Sequence, residues 1–220
     1  MNYSFLSNTL LFRGITKDEI ESILLCFDAK TKDFRKDNVI YHAGDLIESI
    51  GFVLTGSVNI ENDDLWGNRS ILDHIESGQI FAETYALIPG EPLMINVVAA
   101  QTCQILFLNT SKFVQTCSRA CPFHNKLIRN LLTISARKNL NLSRRIFHTS
   151  SKSIRGRLIS YLSQQVKQQG SCQFTIPFNR QQLADYLSVD RSAMSNELSK
   201  MQREGLLSVK KNAFSLKIEK

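Results

Sequence analysis

Apolar positions along this chain recur first at helical spacing, then in short alternating runs, then at helical spacing again. In residues 9–28, Ile20, Ile23, Leu24 and Phe27 share one helical face, and Thr16 with Glu19 forms a capping box ahead of them. From Phe34 to Leu108 the pattern breaks into short runs rich in strand formers: Asn38–Tyr41, Ile50–Leu54, Ser57–Ile60, Ser70–His74, Met94–Ala99 and Cys103–Leu108. Turn signals separate them, among them Ala43-Gly44-Asp45, Thr55-Gly56, Asn62-Asp63-Asp64, Gly67-Asn68 and Ile88-Pro89-Gly90. Such runs at close, regular spacing predict a sandwich or barrel rather than βαβ units.

Pro122 to Phe147 then contains no glycine and no internal proline, and proline is tolerated at the first turn of a helix. About 26 residues at helical rise make a rod of roughly 39 Å. Ile128, Leu131, Leu132, Ser135, Leu142 and Ile146 give it an interrupted apolar stripe near heptad spacing. That stripe predicts a homodimer seam, with packing against the chain's own β-rich part as the alternative. The polar segment His148–Lys152 is the expected hinge, and a helix resumes over Ile154–Val166 with Ile154, Leu158, Tyr161 and Leu162 inward.

Beyond Gly170, Gln173–Pro177 alternates like a short strand, and Phe178–Leu207 reads as two short helices joined by a tight turn. Asn179 caps the first, with Gln182 placed to complete a capping box, and Leu183, Ala184 and Leu187 fall on one face. Asp190 caps the second, whose Met194, Leu198 and Met201 recur at i, i+4 and i+7. On its other face Arg191, Ser192, Ser195, Asn196 and Ser199 project together, with Lys200 and Arg203 toward the far end. Arg and Asn carry the paired hydrogen-bonding groups that match guanine and adenine edges in a major groove. An ordinary helical hairpin with a solvated face is the alternative. Ser208–Ile218 holds two strand-like segments around Lys210-Lys211-Asn212, a basic hairpin that gives this end the shape of a winged helix.

Charge strengthens the nucleic-acid reading. The net charge of +7 divides into 7 basic against 15 acidic residues in 1–110, a balance of −8, and 20 against 5 in 111–220, a balance of +15. A basic half holding a helix-turn-helix is the footprint of a phosphate-binding surface. Hydrophobic residues make up 43% of the chain, ordinary for a globular protein, and no apolar run approaches the roughly 20 residues that span a bilayer. The N-terminus lacks the pattern of a secretory signal, so a cytoplasmic protein is expected. Five scattered cysteines, Cys26, Cys103, Cys117, Cys121 and Cys172, argue for reduced thiols over a disulfide framework.

This order of elements is similar to that of the Crp/Fnr (cyclic-AMP receptor protein / fumarate-nitrate regulator) superfamily of transcription regulators. The resemblance covers nearly the whole chain and is most specific at residues 180–207 and at GQIFAETYALIPGEPL, residues 78–93. It implies an α+β fold: an N-terminal cyclic-nucleotide-binding-like β-jelly roll with a short N-terminal helix (1–120), a long dimerisation helix (121–148) and a C-terminal winged helix-turn-helix (149–220). It places the base-reading positions on Arg191, Ser192, Ser195 and Asn196. The wider set expected to touch DNA adds Arg180, Gln181, Ser199, Lys200, Lys210 and Lys211.

In cyclic-nucleotide-binding members, residues 78–93 would be a phosphate cassette, a Gly-Glu pair followed about ten residues on by Arg-Ser. Here Phe81-Ala82-Glu83 keeps the carboxylate without the glycine, and Leu93-Met94 stands in the Arg-Ser place. No Arg or Lys occurs from Ser70 to Thr110, and a buried phosphate without a cation is expensive. The candidate pocket, Phe81, Ala82, Glu83, Thr84, Leu93 and Met94, is therefore expected to hold an unidentified and more apolar effector, or none, rather than cyclic AMP.

Cys117, Cys121 and His124 do not have the spacing of a metal site and lack an evident fourth ligand, and the N-terminal cysteine cluster of iron–sulfur members is absent. His42, His74 and His148 are isolated in sequence, and none can be assigned to haem. No catalytic motif stands out, so no enzyme, metal or cofactor is expected. The expected partners are double-stranded DNA with a near-palindromic operator and a second copy of the chain; the resemblance also admits RNA polymerase, and no membrane is involved. Two other classes remain: a ligand-binding or docking protein acting through protein contacts, and a weakly specific architectural DNA binder.

Overall fold

A computed structural model describes residues 1–63, 69–111 and 122–217. Two short helices open it, α1 (Tyr3–Ser7) and α2 (Lys17–Cys26). Thr16 and Glu19 form the expected reciprocal cap at α2. α1 was not legible as a helix: it is one turn long, and its signal is Asn2, whose Oδ1 accepts from Phe5 N at 3.0 Å.

Eight antiparallel strands follow: β1 (Lys30–Phe34), β2 (Val39–Tyr41), β3 (Ser49–Thr55), β4 (Ser57–Asp63), β5 (Arg69–Glu76), β6 (Ile80–Phe81), β7 (Asn96–Ala99) and β8 (Cys103–Asn109). They form two four-stranded sheets, ordered β1-β8-β3-β6 and β2-β7-β4-β5. Val53, Phe81, Cys103 and Ile105 of the first sheet pack against Val58, Ile75, Val97 and Ala99 of the second. β3 and β8 are apolar on both faces because their other face is covered as well. Ile50, Phe52, Leu106 and Leu108 meet Leu6, Phe12, Ile20, Ile23 and Leu24 of the N-terminal segment. β1 is polar and exposed over Lys30–Asp33, with only Phe34 turned to the core, and it sits at a sheet edge, where charged side chains blunt further pairing.

A one-turn helix, α3 (Glu83–Ala86), follows β6. The long helix α4 spans Pro122–Thr149. Chain contacts divide the protein within α4, into Met1–Ala136 and Arg137–Lys220. Leu127 and Leu131 of α4 are buried in the N-terminal core beside Leu11 and Ile20. Leu131, expected in the dimer seam, is therefore reassigned: it lies four residues from Leu127, on the face turned toward its own unit. α4 also continues through Thr149, so His148 lies in its last turn and is buried rather than part of a polar hinge.

The C-terminal unit continues with α5 (Ile154–Gln169), β9 (Gln173–Thr175), α6 (Arg180–Leu187), α7 (Arg191–Arg203), β10 (Leu207–Lys210) and β11 (Ala213–Leu216). Its core joins Leu158 and Leu162 of α5 to Leu183 and Leu187 of α6, Met194, Leu198 and Met201 of α7, and Phe174 and Phe214 of a sheet ordered β10-β11-β9.

Candidate nucleic-acid interface

The helix-turn-helix is fixed by local hydrogen bonds that its sequence specifies. Asn179 Oδ1 accepts from Gln182 N at 2.9 Å, and Gln182 Oε1 accepts from Asn179 N at 2.8 Å. α6 ends where Ser188 turns left-handed, at φ 53°, with Val189 N donating to Ala184 O at 3.0 Å. Asp190 Oδ1 then accepts from Ala193 N at 2.7 Å and starts α7.

α7 divides sharply into two faces. Met194, Leu198 and Met201 are at most 3% exposed. Arg191, Ser192, Asn196, Ser199 and Lys200 stand in solvent, with Ser195 half-buried. Among the described residues Arg191, Ser192 and Asn196 make no side-chain hydrogen bond, whereas Ser199 donates to Ser195 O at 2.9 Å. Their recognition groups are thus unspent. Gln181 is exposed and donates to Asp185 Oδ1 at 2.8 Å. Arg180 departs from the exposed row: its guanidinium lies 5.6 Å from the Phe214 ring centroid, and Nη1 is buried without a partner among the described residues. Burial lowers its pKa below the usual guanidinium value.

The wing is a two-residue hairpin, with Lys210 paired to Ala213 and Lys211 at φ 55°. Asn212 pins it to the strand before α6: its Nδ2 donates to Ile176 O, and its carbonyl accepts from Ile176 N, both at 3.0 Å. Lys210 and Lys211 are exposed at its tip.

Sequence reasoning passed over three arginines that position this unit. Arg145 of α4 donates to Tyr186 O at 3.1 Å and to Asp185 O at 2.9 Å. Arg157 of α5 donates to Leu187 O at 3.0 Å and Ser188 O at 2.8 Å. Together they satisfy carbonyls at the C-terminus of α6, where cations are favoured. Arg155 bridges Glu197 and Glu204, which raises its own pKa, mainly through Glu204, and holds the Glu204 carboxyl below its usual range. An excess of basic residues in this half was visible, but which carbonyls the arginines reach depends on tertiary placement.

On α4, Leu132, Leu142 and Ile146 are more than 60% exposed, Ile128 is half-buried against the N-terminal core, and Ser135 is half-buried. With Asn139 added and Leu131 removed, positions 128, 132, 135, 139, 142 and 146 follow a strict 4-3-4-3-4 spacing.

The six expected effector positions do not converge. Phe81 is 1% exposed and its ring lies over Gly51, where any Cβ would run into it. Tyr41 flanks it, with ring centroids 6.3 Å from Phe81 and 5.8 Å from Phe107. Burial and the nearby Asp45 push the Tyr41 phenol up to about 12, and its hydroxyl donates to Ser49 O at 3.2 Å. Phe81 is thus core rather than pocket lining. Ala82 is left-handed at φ 61°; Glu83 and Leu93 are buried, while Thr84 and Met94 are exposed. A groove of about 510 Å³ beside α3 is lined by Leu46, Glu48, Leu87 and Thr110 among others, and by none of the six. Cys117 and Cys121 lie outside the described residues; His124 is packed against Phe27 and Phe123, and among the described residues no cluster of potential ligands could hold a metal.

Comparison with known proteins follows this geometry. Residues 31–120 match a family model described as a cyclic nucleotide-binding domain, and residues 156–219 one described as a Crp-like helix-turn-helix domain. The cAMP-activated global transcriptional regulator CRP of Haemophilus influenzae is 23% identical over 174 residues, covering 77% of this chain and 76% of the relative. Its counterpart of the same name in Pasteurella multocida is 22% identical over 175 residues, covering 78% and 82%. Among solved structures, OCPA-complexed CprK aligns with a TM-score of 0.63 at 16% identity, covering 90% of this chain and 91% of that one. The c-di-GMP-responsive global regulator CLP of Xanthomonas campestris aligns with a TM-score of 0.57 at 17% identity, covering 91% and 98%.

Proposed function

The chain belongs to the Crp/Fnr family of transcription regulators, and from that premise we propose that it reads DNA sequence as a homodimer and does so without cyclic AMP. The observation that carries the reading is the exposed and unspent row Arg191, Ser192 and Asn196, on a helix whose opposite face is fully buried. A helix presented in this way fits a major groove, and its Arg and Asn match base edges. Lys200, Lys210 and Lys211 supply phosphate contacts that fix register without reading sequence.

The dimer is formed along α4. Leu132, Leu142 and Ile146 form the apolar part of a heptad seam, and Ser135 and Asn139 its polar part. Two-fold symmetry then pairs the α7 helices on half-sites about one helical turn apart, giving a near-palindromic operator.

Independence from cyclic AMP rests on the β-roll. Residues 70–110 hold no Arg or Lys, Leu93 is buried where a cation would be needed, and Phe81, Tyr41 and Phe107 pack their rings inside the roll. A cyclic phosphate there would be desolvated with no counter-charge. An effector of this roll would be apolar.

The test is a pair of titrations. Arg191→Ala should weaken binding to the cognate duplex by about 1–3 kcal/mol at one base pair and relax preference there, with little change on random duplex. Equal losses on both duplexes would contradict base reading by Arg191. Cyclic AMP should leave operator affinity unchanged, and an increase on its addition would overturn the β-roll reading.

A further inference from the structure

The C-terminal unit holds a second concave surface that shares no residue with the exposed row of α7. It is a groove of about 390 Å³, within the range of small-molecule sites. Its lining comes from the end of α4, from α5, and from the segment leading into and along α6.

Its walls are aromatic. Tyr161, Phe178 and Tyr186 have ring centroids 5.1 to 6.2 Å apart, and His148 lies 5.6 Å from Tyr161. Tyr161 lines the groove and is only 3% exposed as a residue, and its hydroxyl makes no hydrogen bond among the described residues. That oxygen is not a buried orphan but the part of the ring that reaches the groove, where it is available to a ligand.

Charge points the same way. Arg145 and Arg157 are committed to the carbonyls of α6, but the half-buried Arg144, which lines the groove, has no partner among the described residues. Among the described residues no carboxylate lines the groove; its other polar groups are His148 and amides such as Gln164. An aromatic wall, a free phenol and an uncompensated guanidinium together select a flat, anionic molecule.

We propose that this groove binds a small planar aromatic carboxylate, its ring against Phe178 and Tyr186 and its carboxylate on Arg144, with the Tyr161 hydroxyl as a second donor. Because the walls belong to α4, α5 and α6, the bound acid braces the end of the long helix against the helix-turn-helix. Ligand and operator affinities are then coupled by one reciprocal factor.

Calorimetric titration of the full-length protein with 2-naphthoate, and with neutral 2-naphthamide as control, tests this. One naphthoate should bind per chain, about tenfold more tightly than the amide. Arg144→Gln should bring the acid down to the amide's affinity, Arg144→Lys should keep a preference for the acid, and Tyr161→Phe should weaken binding while leaving the melting temperature unchanged. Absence of naphthoate binding at about 1 mM would overturn the proposal, as would binding that Arg144→Gln and Tyr161→Phe leave unchanged.

Discussion

Ala82 illustrates how much one residue's backbone can carry. It holds φ 61°, a left-handed conformation that glycine adopts freely and a Cβ disfavours, at the position where the resemblance calls for glycine. Ala82→Gly should raise the unfolding free energy by about 1 kcal/mol, read as a higher denaturant midpoint at unchanged slope. No gain would mean that Ala82 is unstrained. Gly51, paired with Phe81 across the β3–β6 ladder, leaves room for the Phe81 ring, so Gly51→Ala should destabilise by about 1–3 kcal/mol through overpacking.

Two histidines make part of the stability acid-sensitive. Burial lowers the pKa of His148, an effect Gln164 opposes and Arg144 reinforces; burial likewise lowers that of His124. Nδ1 of His148 shares a hydrogen bond with Ser160 Oγ at 2.9 Å, and Nε2 of His124 is buried without a partner among the described residues. A folded pKa below the unfolded one means the unfolded chain takes up protons first. Their contribution is complete above about pH 6.5 and is lost as pH falls through the folded values. Melting followed from pH 7.5 to 5.5, about one unit to either side of that value, should fall toward acid, and His148→Phe should flatten the fall. A pH-independent melt in the parent protein would contradict this.

At the scale of elements, the capping of α6 by Arg145 and Arg157 makes its own prediction. Arg145→Gln shortens the reach to Asp185 O and Tyr186 O, and should destabilise the C-terminal unit by about 1–3 kcal/mol. An unchanged melt would show those bonds to be worthless. At the wing, Lys211→Gly removes the phosphate contact proposed for that side chain and relieves a positive φ, so the salt slope of DNA binding should drop by about one while stability rises. These effects divide along the line between what the sequence made legible and what it did not. The helix-turn-helix was legible because each device in it is local: Asn179 with Gln182, Asp190 with Ala193, and the Met194, Leu198, Met201 stripe. β1 was not, since Lys30-Thr31-Lys32-Asp33 has no apolar alternation and is a strand only because β8 pairs with it. Leu131 and Leu132 could not be told apart on a stripe seen in one dimension; burial against Leu11 and Ile20 assigns Leu131 to its own unit. Of the effector positions, Phe81, Glu83 and Leu93 are buried while Thr84 and Met94 are exposed, a division set by the left-handed turn at Ala82, the one-turn helix after it and the loop at Leu93, none of which carries a periodic signal in sequence.

For the molecule as a whole, the division of charge sets both range and salt dependence. On the proposed reading, a balance of +15 after residue 110 favours phosphate at the C-terminal half, while −8 before it disfavours phosphate at the N-terminal half. Dimerisation multiplies two modest half-site affinities, so an α4 seam variant should lose far more operator binding than either half-site contributes alone. The central claim is that paired α7 helices read a two-fold sequence, and selection from a random duplex pool tests it most directly. The account predicts an enriched near-palindrome with half-site centres about 10 base pairs apart, which Arg191→Ala degrades at one symmetric position in each half. A pool that shows no enriched motif, or a single unpaired half-site, would contradict it.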